Sequence, residues 1–209
     1  PSLSTLSLSL EQGIAEIRLN RPDKSNAMND AMWQEIRQAF DWVDATPEAR
    51  VAILSGAGRN FCAGIDLTLL AGIQQRIAHP DAARSREALR RLILDLQDCL
   101  SSVERCRKPV LAAIQGACIG GALDLVTSCD MRYAAADAVF SVREIDLGMV
   151  ADVGTLQRLP RLIPEGAARE LAFTGRNFRA EEGERLGLIN RVFASNEALT
   201  AAVRELAQT

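Results

Sequence analysis

Two short, almost wholly apolar runs constrain this chain more than any other feature. "VAILSG" (Val51 to Gly56) and "VLAAI" (Val110 to Ile114) are each followed by a glycine-rich turn, "GRNFCAGIDL" and "QGACIGG". Runs of this length with no polar alternation are strands buried on both faces, the kind found in parallel sheets. Parallel strands need long crossovers, normally helical and right-handed, so the chain between the runs must supply helices. It does: Leu89, Leu92, Ile93, Leu96, Leu100 and Val103 recur at helical spacing before Pro109, and Leu123, Leu125 and Val126 follow the second turn.

The flanking segments fit the same plan. Leu6, Leu8 and Leu10, then Ala15, Ile17 and Leu19, alternate around Gly13 as a β-hairpin does. Trp33, Ile36, Phe40 and Val43 predict a helix over Asp30 to Asp44, with Asn29 as its N-cap. "MRYAA", "AVFSV" and "LINRVF" read as further strands. Thr155 to Leu162, Glu165 to Phe173 and "NEALTAAVRELAQ" read as helices. Strands alternating with helices make the fold class α/β.

Composition narrows the function by exclusion. The 209 residues carry a net charge of -3 with both signs interspersed, so no basic block offers itself to nucleic acid. No apolar run reaches membrane-spanning length and no leader pattern opens the chain. Five cysteines without a CxxC pair, beside a single histidine, argue against a zinc site and for reduced, buried thiols. A soluble cytoplasmic protein without a bound metal is the expectation.

Familiar catalytic motifs fail one by one. "GAGRNF" follows a strand but has Phe61 where a dinucleotide fold needs its third glycine, and "GACIGG" lacks the Lys-Ser/Thr of a P-loop. His79 lies in the polar loop "AHPD" with no GxSxG elbow in the chain, which makes it a solvated histidine rather than a triad base. Cys62 and Cys118 have no histidine partner and read as small apolar fillers. What remains is the pair of glycine turns, "CAGID" and "CIGGALD", with Asp124, Glu144 and Asp152 behind the second. Converging backbone N–H groups can hold an oxyanion, and carboxyls in apolar surroundings have raised pKa values suited to moving protons.

"FCAGIDL" (Phe61 to Leu67), the long segment from Lys108 to Pro160 and "NAM" at Asn26 together resemble the enoyl-CoA hydratase/isomerase superfamily, the crotonases. The resemblance runs from the hairpin to about Phe193 and implies a crotonase-like (ClpP/crotonase) spiral of repeated ββα units with a shortened C-terminal helical part. Residues 1–193 would form the catalytic core and 194–209 the start of the helical region. The hydratases of this superfamily place two glutamates where this chain has Asp124 and, twenty residues on, Glu144. An Asp at the first position and a further Asp eight residues past the second, here Asp152, look most like the Δ3,5-Δ2,4-dienoyl-CoA isomerases.

That likeness implies proton transfer from C2 to C6 of a 3,5-dienoyl-CoA, in β-oxidation of unsaturated fatty acids. Glu144 would serve the C2 side and Asp152 the C6 side, with Asp124 orienting its neighbours. The Ile65 and Gly121 N–H groups would hold the thioester oxygen. Ala63, Gly64, Ile65, Asp66 and Leu67 would line the CoA path, with Lys24 near the adenosine phosphates. Coenzyme A would be part of the substrate, with no separate cofactor, and the chain would assemble as a homotrimer or hexamer. Two other readings stay open: a 2-enoyl-CoA hydratase using Asp124 and Glu144, and a CoA-ester-binding protein without turnover. Asp152 has a structural alternative as the cap of the helix starting near Val153.

Overall fold

The computed structural model describes residues 1–209. Its strands are β1 (Leu6–Glu11), β2 (Ile14–Leu19), β3 (Val51–Gly56), β4 (Val110–Ile114), β5 (Ala117–Ile119), β6 (Met131–Ala135), β7 (Val139–Ser141), β8 (Phe178–Arg179) and β9 (Arg191–Phe193). Its helices are α1 (Asp30–Ala45), α2 (Leu67–Ile77), α3 (Ala82–Arg105), α4 (Gly121–Thr127), α5 (Thr155–Leu162), α6 (Glu165–Thr174), α7 (Ala180–Leu186) and α8 (Asn196–Ala207). None is long and apolar enough to cross a membrane.

The larger sheet has the order β1-β2-β3-β4-β6-β9. Only the β1–β2 hairpin is antiparallel, in register from Leu6 opposite Leu19 to Glu11 opposite Ile14. The remaining pairs are parallel. A smaller sheet, β5-β7-β8, is extended by a bridge between Cys62 and Cys118. Strands β3, β4 and β6 are thus each followed by a short segment in the second sheet (Cys62, β5 and β7), and then by a helix or helical turn. This is the spiral of ββα units that the resemblance implies.

Side-chain alternation decides which face meets which helix. Ala52 and Leu54 of β3 join the main core with Trp33, Ile36 and Phe40 of α1 and Leu100 and Val103 of α3. Val51 and Ile53 point the other way and pack under Leu199 and Val203 of α8. That double burial is why β3 and β4 carry no polar alternation.

Two local expectations are corrected. The stretch after "CAGID" is not all loop: α2 begins at Leu67, where the Asp66 side chain accepts the Thr68 N–H at 3.0 Å. No α2 residue is fully buried, so the helix has no full apolar stripe to mark it in the sequence. Nor does Asp152 cap α5. The N-cap there is Gly154, which has no side chain to offer. By contrast, Asn29 caps α1 as expected, accepting the Met32 N–H at 3.0 Å.

Candidate active site

The two glycine turns meet because one residue has no side chain. Gly64 has φ +92°, and a Cβ there would lie 2.5 Å from the Ile119 carbonyl oxygen and 3.4 Å from the Gly121 nitrogen. Glycine alone permits both the dihedral and the approach. Around this point the backbone is pinned: Met28 N–H donates to Gly64 O at 2.8 Å and Asp66 N–H to Met28 O at 3.0 Å. Between them the Ile65 N–H donates to nothing in the chain. Gly121 is the first residue of α4, so its N–H lies ahead of the helical hydrogen-bond ladder. Ile65 and Gly121 both line one cavity, an arrangement able to grip a developing oxyanion.

That cavity has a volume of about 340 Å³, and eleven of its fourteen lining residues are hydrophobic. The stripe read as an ordinary helix face supplies one wall: Leu89, Leu92, Ile93 and Leu96 of α3. The N-terminal half of α3 stands over the cavity, while Cys99, Leu100 and Val103 are buried in the core. Leu70 and Ile73 of α2 and Trp33 of α1 add to the lining. Sequence reading found these residues and missed their second use, for which periodicity carries no signal.

Glu144 and Asp152 are the two carboxyls in this otherwise apolar wall. Glu144 opens a 3-10 turn, Glu144–Leu147, closed by Gly148 in the left-handed region. Its Oε1 would lie 3.2 Å from a Cβ at Gly120, where φ is +57°, so a second glycine gives the carboxylate its room. Its Oε2 is buried without a partner. Burial, then the neighbouring Asp124 charge, pushes the Glu144 carboxyl up to about 7. Asp152 is also raised by burial.

Asp124 sits elsewhere than expected. It is fully buried on α4, does not line the cavity, and accepts the Thr155 N–H of α5 on Oδ1 at 2.5 Å. The first N–H of α5 is therefore satisfied by an acid thirty-one residues away in sequence. Oδ2 has no partner. Burial raises the Asp124 carboxyl to about 6, against the opposing hydrogen bonds from Thr155 and the Arg158 charge.

A second cavity, of about 510 Å³ and mostly polar, opens beside the same loop. Ile65 and Leu70 face the first cavity; Asp66, Thr68 and Leu69 face the second, with Arg21, Lys24 and Arg76. Arg21 pairs with Asp66 at 3.0 Å and Arg76 with Asp30 at 2.6 Å, which leaves Lys24 as the cation of the three outside an ion pair. Nothing in the sequence joins Arg21 to Arg76, because no buried stripe marks α2, which carries Arg76. Ala63 and Leu67 are exposed at the edge of the loop.

The discarded candidates stay outside this centre. His79 is exposed, its Nδ1 accepting the Asp81 N–H at 2.9 Å. Cys62 is buried, donates to the Asn26 carbonyl at 3.0 Å, and has its thiol pushed by burial up to about 12. Asp130 accepts the Val110 N–H and Asp146 pairs with Arg143, both at 2.8 Å, as structural acids do.

The chain matches the family described as enoyl-CoA hydratase/isomerase over residues 9–209. A peroxisomal Delta(3,5)-Delta(2,4)-dienoyl-CoA isomerase of Arabidopsis thaliana is 44% identical over 208 residues, 99% of this chain and 75% of the relative. The mitochondrial human protein of that name is 44% identical over 200 residues, 95% of this chain and 61% of the relative. Thus the chain spans roughly three-fifths to three-quarters of these relatives' length. A crystal structure of an enoyl-CoA hydratase/isomerase from Xanthobacter autotrophicus Py2 has a TM-score of 0.88 at 31% identity, covering 99% of this chain and 73% of that one. The names peroxisomal and mitochondrial overturn the cytoplasmic location expected above. Charge balance and cysteine usage cannot distinguish a cytoplasm from an organelle that also keeps thiols reduced.

Proposed function

The chain belongs to the enoyl-CoA hydratase/isomerase family, and from that premise we propose that it shifts a 3,5-dienoyl-CoA to the 2,4-dienoyl-CoA. One observation carries the reading: Asp152 faces the apolar cavity together with Glu144, and both carboxyls are raised. Adding water across a 2-enoyl thioester needs two proton-handling acids near C2 and C3. The second carboxyl in this wall is Asp152 rather than Asp124, and an acid placed there suits delivery of a proton farther along the acyl chain.

The thioester oxygen lies between the Ile65 and Gly121 N–H groups, which stabilise the charge that develops when C2 is deprotonated. Glu144, poised near neutrality, takes that proton. The electron pair passes into C1–C2 and the conjugated enolate extends to C6. Asp152 protonates C6, which leaves double bonds at C2–C3 and C4–C5. Asp124 is a positioning residue: its hydrogen bond to Thr155 fixes the start of α5 behind Asp152, and its charge helps keep Glu144 protonatable. Coenzyme A enters as part of the substrate, its phosphates beside Lys24, Arg21 and Arg76.

Assembly as a homotrimer or hexamer belongs to the same proposal. Phe173 and Leu156, exposed beside each other's helices on α6 and α5, support it as an apolar surface that a copy could cover. Sedimentation analysis checks it. The activity itself is tested by following the ultraviolet absorbance of a 3,5-dienoyl-CoA, since conjugation with the thioester changes the chromophore. Hydration of a 2-trans-enoyl-CoA without any dienoyl isomerisation would sink the proposal.

A further inference from the structure

Asp152 is shared by two cavities. On one side lies the apolar cavity described above. On the other lies a separate polar cavity of about 390 Å³, lined by Gln97, Ser101, Glu104, Gln157, Arg158 and Arg161. Glu104, Gln157 and Arg161 are exposed, so this second space communicates with solvent. Of the three acids, Glu144 lines only the apolar cavity and Asp124 lines neither.

The wall between the cavities is built rigidly. Arg158 is 9% exposed. It donates to Glu104 at 2.8 and 3.0 Å, to Ser101 Oγ at 3.1 Å and to the Val153 carbonyl at 3.3 Å. Gln97 Nε2 donates to the main-chain oxygen of Asp152 at 2.5 Å. Gly154 lies so close to the guanidinium that a Cβ would fall 1.7 Å from Arg158 Nη1. These contacts hold residues 152 to 154 by their main chain and leave the Asp152 carboxyl free of any side-chain bond.

We propose that the polar cavity is a proton-exchange vestibule, through which Asp152 is recharged from water while the acyl chain fills the apolar cavity. The inference rests on the isomerase reading. In the cycle the C2–H bond breaks and its proton goes to the Glu144 carboxylate. The Asp152 O–H bond breaks as C6–H forms. Asp152 then takes one proton from vestibule water, and Glu144 returns one to solvent when product leaves, so protons balance. The proton found at C6 is a solvent proton, not the one removed from C2. An internal relay from Glu144 through Asp124 to Asp152 would instead carry the C2 proton across.

The test is turnover of 3,5-octadienoyl-CoA in D₂O by the unaltered chain and by Gln157→Trp, whose indole fills the vestibule from an exposed position. Product is measured by absorbance and the label located by nuclear magnetic resonance. The unaltered chain should place one deuterium at C6 in nearly all product. In Gln157→Trp, kcat should fall roughly tenfold and KM with it, leaving kcat/KM unchanged, because recharging must wait for the apolar cavity to empty and so becomes a slow step after product leaves. Protium at C6 in the unaltered chain would overturn the vestibule, and so would a Gln157→Trp variant with normal kcat and normal labelling. In both of those outcomes product still forms, so the isomerase reading survives; absence of product in both enzymes removes that reading and the inference with it.

Discussion

Asp66 and Glu144 stand on opposite sides of one loop system and meet opposite fates. Asp66 faces the polar cavity, where the Thr68 N–H and then the Arg21 guanidinium hold its carboxyl below the usual range. Glu144 faces the apolar cavity, where burial and the Asp124 charge push it up to about 7. Both are ordinary carboxylic acids. A carboxylate given partners becomes a fixed charge, able to brace a loop and to complement cations; one buried without partners becomes a group that gains and loses a proton near neutrality. The chain thus divides its work by environment, binding on one side of the loop and chemistry on the other.

The largest expected effect comes from converting the apolar side into a side without proton carriers. Glu144→Gln and Asp152→Asn keep shape and remove the titration, so each should lower kcat by roughly 10²–10⁴ while CoA-ester affinity changes little. Steady-state absorbance assays paired with binding measurements separate the two quantities. Full isomerase activity in Asp152→Asn would end the assignment of that acid to C6. In the unaltered chain, kcat/KM should rise with pH through about 7 as Glu144 ionises and becomes a base. A profile flat between pH 6 and 8 would contradict that role.

Next in size is a stability effect. Asp124 is 0% exposed with one oxygen unpartnered, and its carboxyl is raised from 3.8 to about 6. A raised folded-state pKa means that the native state binds the proton more tightly than the unfolded chain. Stability is therefore fully present below about 3.8 and falls as pH rises to about 6, where the native carboxyl also ionises. At higher pH the cost of carrying the buried charge is on the order of 3 kcal/mol. Asp124→Asn can still accept the Thr155 N–H but buries an amide of its own, at about 1 kcal/mol. The variant should gain roughly 1–2 kcal/mol at pH 8 and lose much of the decline between pH 4 and 6. Urea titrations across that range check the sign; a variant less stable at pH 8 would place Asp124 among the partnered acids instead.

How much of this the sequence disclosed follows from the kind of signal each feature leaves. Strands β3 and β4 are legible because burial on both faces leaves only Ser55 polar among them, and the glycine turns because Gly64 needs a positive φ against a carbonyl. The three acids are legible as carboxyls amid apolar residues. What stayed hidden depends on three-dimensional adjacency. Asp124 looks like a pocket acid in sequence and instead accepts the first N–H of α5, whose own N-cap is glycine. Helix α2 leaves little signal because Leu70 and Ile73 face the apolar cavity and only Leu69 packs, partly buried, against the core, and Arg21 and Arg76 come together only once it is folded.

The smallest expected effect probes the polar side. Lys24 lies in the polar cavity without the carboxylate partner that Arg21 and Arg76 have. An unpaired cation attracts an anion with its full charge, yet in an open cavity that attraction is screened within about 8 Å at physiological salt. Lys24→Ala should therefore raise KM for a CoA thioester several-fold at low ionic strength, leave kcat alone, and converge on the unaltered chain at high salt. Asp66→Asn works in the opposite sense: Arg21 loses its partner, the binding side gains one net positive charge, and KM at low salt should fall or stay level. If instead Lys24→Ala lowered kcat at constant KM, the two sides of the loop would not be separate in function, because charge at the polar cavity would be reaching the acids across the Ile65 to Leu70 segment.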